Sequence, residues 1–424
     1  MWHDARQATV WAIGWLLLVT AGFLLVRRPP GRATRFSLPL ILLIAALARL
    51  LPAVWLPVGA GYDIESYRLV TDALLDGREV YTSVLGRHPY LPFQMYVMGA
   101  MAYLSQWTGL PYVVAVKLPA VAADVALTAL IYRAVRDARG RQWAAYAALL
   151  YALNPVSLLV TAYHGQFESV TLLLLVLSWW LWERRRATGS AGALGFAILN
   201  KTWPVVFLPV IFLRLRDWRG RIVYTLIALG IPVLFVAAYL VFFSADPTPM
   251  LRRALTHRGV AGYWGPGAVL YPAAAAWPGL QPAADLLFAL RNGLLLIGVL
   301  ASLWWTRRQS ALDALLTLLL VMFVVTVGFG IQWLVWPVPF ALLAGEYRRL
   351  RIYSLAATLM LAVHLFGLHM VPWLPELLPA TAADLVIRLS ALPAWLVVVG
   401  WAAARLRAAT APEATPELRE QPVN

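Results

Sequence analysis

The chain has 424 residues, of which 61% are hydrophobic and only 13% charged, with a mean hydropathy of +0.71. Soluble domains carry roughly 25% charged residues, so this composition excludes an ordinary soluble fold. The apolar runs lack the alternation of a β-barrel, which leaves an all-α polytopic membrane protein.

The net charge of +15 would suggest a nucleic-acid partner in a soluble protein. Here most arginines fall in short loops between apolar runs, the pattern of a cytoplasmic face. Membrane lipids are therefore the expected surroundings, and no nucleic acid is expected. Lys117 and Lys201 are the only lysines, and both lie inside apolar segments. The absence of cysteine excludes disulfides, thiolate catalysis and Cys-ligated metals.

A crossing needs about 20 apolar residues, and arginine-rich loops set its direction. Residues 8–26 form a first span that ends at Arg27, Arg28, Arg32 and Arg35, and 37–57 return outward. A first long external loop then covers 58–110, with an amphipathic helix over 64–76 stopped by Gly77. Residues 90–108 are apolar but interrupted by Pro92, Gln94, Ser105 and Gln106, and read as a juxtamembrane or re-entrant helix. Spans follow at 111–132, 142–161 and 169–182.

Two short apolar runs, 191–199 and 203–213, are split by Asn200-Lys201-Thr202 and Pro204 and have arginines on both flanks, the pattern of a re-entrant hairpin. After a span at 221–243 comes a second long external loop, 244–283, then spans at 284–305, 311–330, 333–346, 352–369 and 384–404. The total is about 11 crossings in a single membrane domain, 1–407, with the N-terminus outside. Residues 408–424 are rich in Pro, Glu and Ala and read as a disordered cytoplasmic tail.

Five polar clusters stand out, four of them on the external face. Asp63 and Glu65 follow the second span directly. An acid at that depth needs a partner, water or a function; its plainer role is to cap the helix behind it. Arg87-His88 precede Pro89-Tyr-Leu-Pro92. His164, Gln166 and Glu168 crowd a tight turn at Gly165, where a simple connector would not need all three. Arg252, Arg253, His257 and Arg258 break the positive-inside trend, and guanidinium geometry suits phosphate; anionic headgroups are the plainer alternative. The fifth cluster is Lys201 in the hairpin, and Gln332 is a lone polar group near a helix end. No metal-ligand spacing, P-loop, dinucleotide fingerprint or Gly-x-Ser-x-Gly elbow is present.

Tyr62-Asp63-x-Glu65, Gly77-x-x-x-Tyr81 and His88-Pro-Tyr-x-Pro92 come in that order, followed by Gly165-Gln-Phe-Glu-Ser169, Asn200-Lys-Thr-Trp-Pro204 and Gly330-Ile-Gln-Trp-Leu-Val-Trp-Pro-Val-Pro339. Together they resemble the polyprenyl-phosphate-sugar-dependent glycosyltransferases of the GT-C superfamily. The mannosyltransferases of glycosylphosphatidylinositol assembly and their bacterial relatives are the most similar in spacing. The resemblance implies inverting transfer of one hexose, mannose by analogy, from a polyprenyl-phosphate donor to a lipid- or protein-linked glycan on the external face, without cofactor or metal. It further implies Asp63 as catalytic base, with Glu65, Arg87, His88, His164, Gln166 and Glu168 near acceptor or sugar. Arg252, Arg253, His257, Arg258 and Lys201 would lie near the donor phosphate. The chain departs where relatives often have Asp-x-Asp and Gly-Gln-Phe-Asp: it carries Glu65 and Glu168. A transporter or flippase, with Lys117, Asp124 and Lys201 along a path, and a lipid-diphosphate-dependent glycan polymerase or ligase are the competing readings.

Overall fold

The computed structural model describes residues 5–29, 36–55, 61–256, 259–367 and 380–410. Among these, seven helices are long and apolar enough to cross a membrane: Gln7–Leu25, Leu38–Trp55, Tyr112–Ala152, Trp218–Phe243, Pro278–Trp305, Tyr347–Phe366 and Thr381–Ala409. The protein is an all-α, multi-pass membrane protein. The 41-residue run Tyr112–Ala152 holds the crossing expected at 111–132 and the first half of that expected at 142–161, parted at Gly140, where φ is 82°; the second half breaks at Asn154 into helix Pro155–Leu158 and a π turn, Leu159–His164. Other expected crossings fall on shorter helices, Glu168–Glu183 and Ala311–Val325.

The short crossing expected at 333–346 falls on the apolar run Ile331–Ala344, in which a 3₁₀ turn, Ile331–Val335, leads into the helix Pro337–Ala344. Proline lacks the amide that would continue the preceding turn, and is favoured at a helix start. The last helix, Leu392–Thr410, ends three residues past the boundary expected at 407; 411–424, the rest of the expected tail, lie outside the described residues.

The segment 187–213 is a hairpin of helix Ala187–Asn200, 3₁₀ turn Trp203–Phe207 and helix Leu208–Phe212. Helix Glu168–Glu183 runs toward Arg184, and Ala187–Asn200 runs back beside it. This brings the hairpin tip, Lys201, level with Glu168 and away from the arginines. Gly195 permits the tight fit, because a Cβ there would lie 2.9 Å from the Ala228 carbonyl oxygen.

At the Lys201 end, two long loops form a polar-faced layer. Helices Gly61–Leu75 and Gln94–Thr108 pack through Leu74 against Gly99, where a Cβ would be 3.3 Å away. Tyr67, Tyr81 and Met95 share a core with Phe167, Met250 and Ala254, which joins the first loop to the second. Glu79 accepts hydrogen bonds from Tyr81 N at 3.0 Å and Tyr239 Oη at 2.5 Å, fixing this layer to helix Trp218–Phe243.

Inside the bundle, Arg49 donates to Asp124 at 2.5 Å and to the Ala152 carbonyl at 2.8 Å. Ser157 adds a bond to Asp124 at 2.6 Å, and Tyr151 also donates to that carboxylate. Asp124 is thus consumed in a fully buried tie between helices and does not line a path. Replacing Arg49 by Met would leave that carboxylate buried and uncompensated, at a cost of about 3–5 kcal/mol. A large drop in the melting temperature of detergent-solubilised protein is the expected result; an unchanged melting curve would show that the tie is dispensable.

Candidate active site

Asp63 lies in the first turn of helix Gly61–Leu75. Its Oδ2 accepts a hydrogen bond from Gln166 Nε2 at 2.7 Å and sits 2.7 Å from His164 Nε2. An ionised carboxylate only accepts, so His164 presents Nε2–H to it. Its hydrogen-bond partners are therefore these two side chains and not the amides of its own helix. Burial alone would raise the pKa of Asp63. The hydrogen bond and charge of His164 outweigh that effect, helped by Gln166 and the charge of Lys201, and hold the group below its ordinary value of 3.8.

The partners are delivered by a widened π turn, Leu159–His164, that ends at Gly165 with φ 89°. A side chain at Gly165 would adopt a disfavoured backbone and meet Lys117 Cε at 3.1 Å and Ile64 at 3.3 Å. Lys117 is fully buried and donates to the Tyr163 carbonyl at 2.9 Å, bracing the turn from behind.

Gln166 passes the network onward: its Oε1 faces Lys201 Nζ at 3.5 Å. Lys201 forms an ion pair with Glu168 Oε1, and Trp336 Nε1 donates to Glu168 Oε2 at 2.9 Å. The ammonium also lies 4.9 Å from the Tyr90 ring centroid and 4.5 Å from that of Phe167, where ring quadrupoles favour a desolvated cation.

A cavity of about 310 Å³ opens here, lined by Lys201, Tyr90, Trp203, Trp333, Trp336 and Gln332 among others. Trp203 and Trp336 stack at 3.8 Å, almost parallel at 10°. The site therefore joins a hydrogen-bonded carboxylate to a chamber lined mostly by aliphatic and aromatic side chains.

The structure thus brings Asp63, His164, Gln166, Glu168 and Lys201 together and puts Gln332 on the chamber wall. Arg87 flanks Asp63: its guanidinium lies 4.3 Å from the Tyr62 ring centroid and donates to Ser66 at 3.3 Å. Glu65 points away on an exposed face. His88 is buried between the rings of Tyr81 and Tyr90, so it packs the layer and does not face the chamber. Arg252 is exposed. Arg253 lines a neighbouring recess that shares Pro89 with the chamber. His257 and Arg258 lie outside the described residues. Lys201, expected beside a donor phosphate, is already paired with Glu168.

Tyr90, Trp203 and Trp336 carry no signal in the sequence that marks them as site residues beyond the i, i+3 spacing of Trp333 and Trp336.

These features define a membrane-embedded helical protein with a carboxylate site beside an aromatic chamber. The model of glycosyltransferase family 87 matches residues 90–337, and the chain belongs to that family. It is a membrane glycosyltransferase, the class implied by its motifs. The matched stretch covers Glu168, Lys201 and Gln332 but begins after Asp63. The chain is also similar to the crystal structure of ArnT from Cupriavidus metallidurans bound to undecaprenyl phosphate. That similarity has 15% identity and a TM-score of 0.46, over 88% of this chain and 77% of that one.

Two measurements follow. Lys201→Met leaves Glu168 buried without its cation and should cost about 3–5 kcal/mol, whereas Lys201→Met with Glu168→Gln should recover much of that loss. Additive losses in the double variant would mean that the two side chains act independently. Burial also lowers the His88 pKa from 6.5 to about 4. The unfolded chain therefore binds the extra proton first, and stability should fall as pH drops from 6.5 to about 4, by up to about 3 kcal/mol from this group. Asp63 does not contribute to that window, because its depressed pKa keeps its stabilisation intact until the pH falls below 3.8. The pH slope of the melting temperature should be shallower in His88→Gln; an identical slope would contradict the assignment.

Proposed function

We propose that this glycosyltransferase moves one hexose, mannose by motif resemblance, from a polyprenyl-phosphate donor to a hydroxyl of a lipid- or protein-linked glycan. Asp63 is the base, and the reaction takes place on the extracytoplasmic face, within one catalytic domain over 1–407. The observation that carries this reading is the difference between three acids. Glu168 has both oxygens engaged and is fully buried. Glu65 is exposed and outside the network. Asp63 is 30% exposed at its side chain, and both of its bonds fall on Oδ2. Oδ1 is thus the oxygen left to face an acceptor hydroxyl.

In the proposed reaction the acceptor oxygen attacks the anomeric carbon while Asp63 Oδ1 takes the hydroxyl proton. The bond from the anomeric carbon to the phosphate oxygen breaks, and its electron pair leaves with the phosphate. His164 and Gln166 hold the carboxylate in one rotamer and keep it ionised. Arg87, beside Tyr62 and Ser66, borders the space where the acceptor would enter. The aromatic chamber suits a prenyl segment or a sugar face, and Gln332 supplies a polar contact on its wall. By the motif resemblance, Arg252, Arg253, His257 and Arg258 carry the positive charge that meets the departing phosphate; of these, Arg253 lines the recess beside the chamber.

Asp63→Asn keeps the hydrogen-bonding shape but removes the base. Sugar transfer from a polyprenyl-phosphate hexose should fall by about 10²–10⁴-fold, with the melting temperature nearly unchanged. Turnover at the original rate would remove Asp63 from this role.

A further inference from the structure

At the end of the hairpin away from Asp63 lies a separate groove of about 590 Å³, a size within the range of about 300–1,000 Å³ usual for ligand sites. The hairpin's return leg, Trp203–Phe212, runs from one site to the other: Trp203 lines the chamber, and Leu208 and Phe212 line the groove. Leu300 and Leu303, from helix Gln281–Trp305, contribute the other apolar wall. Arg214 ties the two walls together at the mouth, donating to the Thr306 and Gln309 carbonyls at 2.8 Å each.

The groove lining is apolar except for Thr225 and, at the rim, Arg307. A hydroxyl in a helix can bond the carbonyl four residues back, as Thr128 does at 2.9 Å, Ser302 at 2.7 Å and Thr317 at 2.8 Å. Thr225 does not. Its Oγ1 is buried and has no hydrogen-bond partner among the described residues, which is costly for a hydroxyl in apolar surroundings.

Two guanidiniums stand at the mouth. Arg221 precedes Thr225 by one turn of helix Trp218–Phe243, on the same face and about 6 Å nearer the helix start. It lies 5.3 Å from the ring centroid of Phe212 and 5.0 Å from that of Trp218. Arg307 lies 3.9 Å from the Trp304 centroid and donates to the Trp304 carbonyl at 2.6 Å. Arg184 sits over Trp180 in the same manner but is paired with Asp137. Arg221 and Arg307 have no carboxylate partner among the described residues. Asp217, the acid nearest Arg221 in the chain, is turned to cap the Gly220 amide at 2.9 Å.

We propose that this groove binds an anionic glycerophospholipid of the cytoplasmic leaflet. One acyl chain lies between the hairpin and helix Gln281–Trp305, the phosphate meets Arg221 and Arg307, and an ester carbonyl accepts from Thr225. Charge decides between possible occupants. A polyprenyl donor keeps its phosphate at the Asp63 end, so its tail would bring only hydrocarbon here and leave both guanidiniums unmatched. A zwitterionic headgroup carries an ammonium that competes with them, whereas an anionic one does not, and basic pockets between helices on the arginine-rich side suit such headgroups. The acyl chain packs against the leg that returns from Lys201, so the lipid supports the hairpin from its far end.

The test is native mass spectrometry of the full-length protein released from detergent after adding dioleoyl phosphatidylglycerol, dioleoyl phosphatidylethanolamine or farnesyl phosphate. Phosphatidylglycerol should bind about tenfold tighter than phosphatidylethanolamine, and Arg221→Gln or Arg307→Gln should each cut that preference to about twofold, since one arginine near the surface contributes a factor of about five. Thr225→Val should weaken both phospholipids alike, because they carry the same esters. Phosphatidylglycerol should also raise the melting temperature of the parent protein, and by less in either Gln variant. Equal binding of the two phospholipids to the parent protein, or a preference unchanged in both Gln variants, would overturn the site. Farnesyl phosphate displacing phosphatidylglycerol at equal concentration would make the groove part of a prenyl path and overturn it as well.

Discussion

The ion pair between Lys201 and Glu168 is the contact on which the site's geometry depends. Lys201 sits at the tip of a hairpin and Glu168 at the start of the neighbouring helix, and both are almost wholly removed from solvent. Two charges at that depth are tolerable only if each is compensated. Glu168 is compensated by the ammonium and by the Trp336 indole, and Lys201 by the carboxylate, the Gln166 amide and two aromatic faces. Because the requirement is mutual, it fixes the height of the hairpin against helix Glu168–Glu183. It also sets the orientation of Gln166 and, through Gln166, the hydrogen bond to Asp63. A neutral pair would pack here without specifying which way the amide faces.

The same logic explains why the first long loop holds its shape although its polar surface faces away from the bundle. Its core is aromatic and apolar, with Tyr67, Tyr81 and Met95 against Phe167 and Met250. The Tyr239 hydroxyl serves both the Val80 amide, at 2.9 Å, and the Glu79 carboxylate, at 2.5 Å. Loops that carry chemistry need rigid support, since a displacement of about an ångström at a reacting group can cost two orders of magnitude in rate. Here that support comes from membrane helices through buried phenols, and the loop's exposed face remains available to a substrate.

Much of this was legible in the sequence, but unevenly. Long apolar runs mark the bundle, and the turn at Gly165 announces His164, Gln166 and Glu168 as a group, because such residues seldom gather at a membrane edge without purpose. The destination of Lys201 was not legible. A lysine between two short apolar runs is equally compatible with snorkelling toward arginines or with burial, and only packing against helix Glu168–Glu183 chooses. Trp336 carries no charge to attract notice, yet it holds Glu168 Oε2. Pairings of this kind depend on distance in space, which local patterns do not encode.

In the proposed reaction, environment divides labour between two carboxylates, Asp63 and Glu168. Glu168 accepts from an ammonium and an indole, with no oxygen spare, so protonating it would mean dismantling the ion pair that supports the hairpin. Asp63 is held from one side only, by neighbours that stabilise its ionised form. That stabilisation makes it a weak base in the resting enzyme, which at first sight argues against a role in proton removal. In the proposed reaction, however, the hydroxyl acidifies only as its oxygen bonds to the anomeric carbon, so the base is needed late, when the acceptor has become a strong acid. A carboxylate that is fully ionised at neutral pH and locked in one rotamer, with a single oxygen open, suits that timing better than a stronger base that would be protonated beforehand.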